Sequence, residues 1–194
     1  MTPKRLSIAA VSAAVLVVLV VGLLQLGGSQ APAPSKLTLA QMRARLAGSP
    51  AALAALHAQA DEIVSGGLPA LRARLAALRG TPVVINKWAS WCEPCREEFG
   101  VFQRVAVARG REVAFLGIDS NDSRGHALTF LRAFPISYPS FYDPGGEAGL
   151  AITDSGVTPV TVFVNRAGGR FIHQGPFLSV AKLEAAIRRY ALEA

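Results

Sequence analysis

The sequence predicts an α/β fold with a mixed sheet, and three stretches carry that prediction. Pro82-Val83-Val84-Ile85-Asn86 is an apolar run leading into Trp91-Cys92-Glu93-Pro94-Cys95, after which a helical pattern continues to Gly110. Glu112 to Ile118 is a second apolar run, and a strand–helix–strand crossover makes two such strands parallel. Val160 to Val164 and Arg170 to His173 flank Asn165 to Gly169, the pattern of an antiparallel hairpin.

The first 67 residues read as three sections. Lys4 and Arg5 precede Leu6 to Leu26, which holds no charged residue; about 20 such residues span a bilayer as a helix. The leading basic residues predict a cytoplasmic N-terminus and an exported remainder. Residues 1–27 are therefore expected to form a single-pass signal anchor. A cleaved signal peptide competes with this reading, although the proline of Ala31-Pro32-Ala33 makes a poor cleavage site. Residues 28–36, rich in Gly, Ser, Pro and Ala, form a linker. Residues 37–67 are predicted as a helical extension of one or two helices, broken near Gly48-Ser49-Pro50.

Residues 68–194 are large enough for one domain with a real core. Pro69 opens a helix with Leu71, Leu75 and Leu78 on one face, ended by Gly80-Thr81-Pro82. After the cysteines, Phe99, Phe102 and Val105 form a helical stripe that reads as core. Asp119 to Ser123 is predicted as a polar loop, His126 to Phe134 as helix and Pro135 to Tyr142 as extended chain. Asp143-Pro144-Gly145-Gly146 is a turn and Glu147 to Thr153 a short helix. Beyond the hairpin, Ser179 is the expected cap of a last helix with Leu183, Ala186, Ile187 and Tyr190 facing inward.

The net charge of +7 includes Lys4 and Arg5, so the exported part is only moderately basic. Arg43, Arg45, Arg72, Arg74, Arg188 and Arg189 fall on helical repeats as solvated faces, and no aromatic cluster accompanies them; nucleic acid is not a predicted partner.

The chemistry concentrates at the two cysteines, the only ones in the chain. Residues three apart on a helix are neighbours, so Cys92 and Cys95 can form a disulfide within one turn. A thiol at a helix N-terminus is favoured as thiolate by unpaired N–H groups and the macrodipole. A structural disulfide across so short a loop would restrain the unfolded chain little. Zinc needs about four ligands, and His57, His126 and His173 are scattered; they are expected at the surface or boundary. The pattern points to redox-active thiols that need neither cofactor nor metal, in an exported compartment where disulfides persist.

The run Val83-Val84-Ile85-Asn86-Lys87-Trp88-Ala89-Ser90-Trp91-Cys92-Glu93-Pro94-Cys95-Arg96-Glu97-Glu98 resembles the active-site segment of membrane-anchored, extracytoplasmic thioredoxin-like proteins. These are the TlpA/ResA/DsbE-like thiol-disulfide oxidoreductases. Gly117-Ile118-Asp119, Tyr138-Pro139, Tyr142-Asp143, Gly156-Val157-Thr158-Pro159, Thr161-Val162-Phe163 and Gly168-Gly169 follow in the family's order. The resemblance runs from about Pro69 to the C-terminus. It implies a thioredoxin fold, with a central mixed sheet flanked by helices.

The resemblance also implies roles. Cys92, at the exposed helix end, is the nucleophile, and Cys95, a turn deeper, resolves the mixed disulfide. Pro159 is cis and lies against Cys92, exposing the backbone of Thr158 to clients, while Trp91 covers the disulfide and contacts clients. Trp88 is expected in the core. Glu93 and Pro94 tune the potential: Glu93 raises the Cys92 pKa and Arg96 opposes it. The Glu-Pro pair resembles that of reductants serving cytochrome c maturation. Glu98 either assists proton transfer or, like Glu97, complements the helix dipole.

Three positions depart from familiar patterns. Asn86 replaces the buried Asp of cytoplasmic thioredoxins, Gly100 replaces a common proline, and Lys87 stands where an apolar residue is usual. Lys87 must snorkel or find a partner. The expected partners are protein thiol or disulfide clients and a membrane redox protein that supplies electrons. A disulfide-introducing oxidant of the same fold, and a tethered binding module with a static disulfide, are the competing functions.

Overall fold

The computed structural model describes Ala33 and residues 36–193. The expected anchor, and the linker apart from Ala33 and Lys36, lie outside the described residues. Among those described, no helix is long and apolar enough to cross a membrane.

The helices are α1 (Leu39–Arg45), α2 (Ala51–Ala58), α3 (Gly67–Ala77), α4 (Glu93–Arg109), α5 (Arg124–Ala133), α6 (Glu147–Thr153) and α7 (Val180–Ile187). A π-helical turn, Arg188–Leu192, continues α7. The strands are β1 (Ile63–Val64), β2 (Val83–Trp88), β3 (Ala114–Ser120), β4 (Ser140–Asp143), β5 (Val160–Val164) and β6 (Arg170–Gln174). They form one sheet in the order β1-β4-β3-β2-β5-β6. The first four pair in parallel; β5 is antiparallel to β2, and β6 to β5.

Strand β2 is central and buried at every position, Asn86 and Lys87 included, and Val83-Val84-Ile85 is the apolar run such a strand calls for. Its side chains alternate between two cores. Val84 and Trp88 pack with Phe99, Phe102, Phe130 and Leu183 on one face. Val83 and Ile85 pack with Leu56, Leu71, Leu116 and Val162 on the other. The sheet therefore delivers Trp88 and the following cysteines to the end of a fully supported strand.

Several expectations change. Ile63–Val64, expected within a helical extension, is an edge strand paired with Ser140–Phe141. Asp61 ends the helical run with a φ of 68°, and its carboxylate accepts the Ile136 N–H at 2.9 Å. Strand β3 continues through Asp119 and Ser120, expected in a loop, because both pair with β4. His57 is buried on α2, not at the surface, and burial lowers its pKa. Helix α3 starts at Gly67, two residues before Pro69. Ser179 occupies the cap position of α7 without a side-chain capping bond.

Candidate functional site

Cys92 is the N-cap of α4, and its sulfur accepts a hydrogen bond from the Cys95 N–H at 3.2 Å. Pro94 sits in the first turn, where a missing N–H breaks no helical bond. The two sulfurs are joined in a disulfide with Cα atoms 5.3 Å apart. Unpaired N–H groups of that first turn stabilise negative charge on a freed Cys92 sulfur. Cys92 is not at an exposed end as expected: it is 3% exposed and Cys95 0%, because both pack into the core of the α4 face.

Trp91 projects outward, 62% exposed, with its indole N–H donated to the Asn121 carbonyl at 2.9 Å. Trp88 is wholly buried, in contact with Phe99 and Phe130 at centroid distances of 5.1 and 5.2 Å. Its Nε1 donates to Ser140 Oγ at 3.1 Å. Glu93 and Arg96 form a 3.8 Å ion pair in solvent, so the two opposing charges expected near Cys92 largely offset each other.

Glu98 is completely buried, which a carboxylate serving only the helix dipole would not be. Asn86 Nδ2 donates to its Oε1 at 2.7 Å and the Phe177 N–H to its Oε2 at 3.0 Å. Burial pushes its pKa up to about 8, against the lowering effect of those two bonds. The raised pKa makes it a titratable acid inside the fold. The buried acid that Asn86 does not supply from the strand is supplied from the helix.

Asp119 and Asp122 were not legible as site residues. Asp122 accepts the Ser90 N–H at 2.6 Å, fixing the turn before the cysteines. Asp119, opposite Trp88 in the β2–β3 ladder, is fully buried beside the Asp122 carboxyl. Desolvation, then the neighbouring charge of Asp122, raise its pKa to about 8. The signal available in sequence was two acids just past an apolar strand, which reads equally well as a solvated loop.

The Thr158–Pro159 peptide bond is cis. Thr158 is half-buried, and among the described residues its N–H and C=O take part in no backbone hydrogen bond. Val157 beside it is 53% exposed. Thr158 thus offers unpaired backbone groups next to an apolar side chain, which an extended polypeptide can use.

The Redoxin family model matches residues 70–186. The thiol:disulfide interchange protein DsbE of Allochromatium vinosum is 37% identical over 94 residues, 47% of this chain and 49% of that protein. The thiol-disulfide oxidoreductase ResA of Bacillus subtilis is 26% identical over 98 residues, 50% of this chain and 54% of that protein. The chain thus spans about half the length of these relatives. The solved structure of MTB dsbF in its mixed oxidized and reduced forms superposes with a TM-score of 0.55 at 26% identity, over 59% of this chain and 84% of that one. The architecture is the thioredoxin fold.

Proposed function

The chain belongs to the Redoxin family, and on that premise we propose that it is a thiol-disulfide oxidoreductase that reduces disulfides in exported client proteins. The Cys92 thiolate attacks one sulfur of a client disulfide, forming a mixed disulfide and releasing the other client sulfur as a thiol. Cys95 then attacks Cys92, the second client thiol leaves, and the Cys92–Cys95 disulfide forms with two electrons passed to the client. A membrane redox protein returns the enzyme to its dithiol. Glu98 exchanges a proton with the thiol pair, Thr158 and Pro159 hold the client backbone, and Trp91 contacts its side chains.

The observation that carries the reading is the Cys95 N–H directed at the Cys92 sulfur on the first turn of α4. The uncharged Leu6–Leu26 run behind Lys4 and Arg5 supports a single-pass anchor with the domain outside the cytoplasm. The Glu93-Pro94 pair supports apocytochrome c as the client. Insulin reduction tests the activity: Cys92→Ser and Cys95→Ser should each abolish turnover, and Cys95→Ser should accumulate mixed disulfides. Turnover untouched by either change would sink the proposal. A redox potential near −250 mV or below marks a reductant, one near −120 mV an oxidant, on roughly the scale of known couples.

A further inference from the structure

Lys87 is the buried charge that the proposed chemistry leaves unused. It is 1% exposed, on the β2 face otherwise occupied by Val83 and Ile85. Its Nζ donates to the Ser155 carbonyl at 2.8 Å. Its backbone lies opposite Val160 in the β2–β5 ladder. One residue therefore holds both ends of the segment 155–160, which contains Thr158 and cis-Pro159.

The rest of the surroundings fit that clasp. Within the segment, the Val157 N–H is donated to Ser155 Oγ at 3.2 Å, and Thr153 Oγ1 lies 3.0 Å from the Ser155 carbonyl oxygen. Asp143 supplies the negative charge that favours the ammonium, against burial, which lowers the Lys87 pKa. That carboxylate is itself fixed by Ser120 Oγ at 3.0 Å and the α6 N–H groups of Ala148 and Gly149 at 3.0 and 2.8 Å. Gly149 leaves room for the lysine stem: a Cβ there would lie 2.8 Å from Lys87 Cε. An apolar side chain would complete this sheet face without an ammonium to desolvate. What the lysine adds is the bond to Ser155.

We propose that Lys87 is a positioning residue for client binding, which shapes the segment 155–160 so that the backbone of Thr158 meets an extended, disulfide-bearing polypeptide. This rests on the reading that the chain exchanges disulfides with proteins. Lys87 acts through the loop and not on the thiols, so it separates recognition of a polypeptide from reactivity toward a small thiol.

The test compares wild type with Lys87→Met, which keeps the stem and removes the donor. KM and kcat for insulin are measured beside the rate at which dithiothreitol reduces the Cys92–Cys95 disulfide. The expected result is a KM raised by about tenfold, the loss of one charge-assisted hydrogen bond, with kcat and the dithiothreitol rate changed less than about twofold. Lys87→Leu, which restores the apolar side chain usual at this strand position, should behave alike and covers the case in which Lys87→Met fails to fold. An unchanged KM overturns the proposal, as does a dithiothreitol rate that falls in step with the insulin rate. Unfolding of both variants also overturns it, since Lys87 would then be needed for the fold itself. A wild type that reacts with dithiothreitol but never with insulin overturns the underlying function instead, a result distinct from the others.

Discussion

Glu98 is a buried acid on the helix that begins at the cysteines. Its carboxyl is ordinary in an unfolded chain, with a pKa of 4.5, and is raised to about 8 by burial in the fold. Between those values the unfolded chain holds fewer protons than the native one, so stability falls as pH rises from about 4.5 to 8 and levels off above. Asp119 adds a loss in the same direction. Glu98→Gln should flatten this fall by an amount on the order of 1–4 kcal/mol, at the loss of one of the two accepted hydrogen bonds, since its amide nitrogen only donates. Urea denaturation at pH 5, 7 and 9 checks it; identical pH dependence in the variant would mean that Glu98 is ionised throughout. The residue was visible in sequence one turn after Cys95, but its burial was not. Spacing puts Glu98 on the helical face of Cys95, Phe102 and Val105 and Glu97 off it, but a carboxylate on such a face is not by its type a buried residue.

At the scale of elements, the site depends on how closely β3, β4 and β2 approach behind Trp88. Gly117 is the contact point: a Cβ there would lie 2.1 Å from Ser140 Oγ and 2.9 Å from Trp88 Nε1. Gly117→Ala should therefore displace the Ser140–Trp88 hydrogen bond and cost about 1–3 kcal/mol or more, read as a lower midpoint in thermal denaturation. A midpoint within error of wild type would show that the strands can part without loss. The central elements were legible because their patterns are strong: β5 and α6 have the bounds the sequence predicts, and β2 runs two residues past the Pro82 to Asn86 stretch. The edge strand β1 was hidden because two residues, Ile63 and Val64, are too few to show alternation, and an Ala- and Leu-rich run precedes them. Asp119 and Ser120 were hidden because polar residues at a strand end follow loop statistics until a partner strand buries them. The bond between Lys87 and Ser155 joins residues 68 apart, and no local pattern encodes such a meeting.

At the scale of the whole molecule, the proposed anchor at Leu6–Leu26 would hold the domain and its thiols outside the cytoplasm. The full chain expressed in a bacterial host should sediment with membranes, resist carbonate washing and dissolve in detergent. Its reduced thiols should react with a membrane-impermeant maleimide in intact spheroplasts. Release by carbonate, or cleavage ahead of the domain, would remove the anchor from the account and leave the chemistry standing. That chemistry depends on one sulfur at the start of α4 being more acidic than its neighbour. Iodoacetamide alkylation of the reduced protein, followed site by site across pH, measures this directly. Cys92 should react as a thiolate with a midpoint below the roughly 8.5 of a free cysteine, while Cys95 stays unmodified at neutral pH; equal, slow reaction of both sulfurs with midpoints at or above that value would contradict the account.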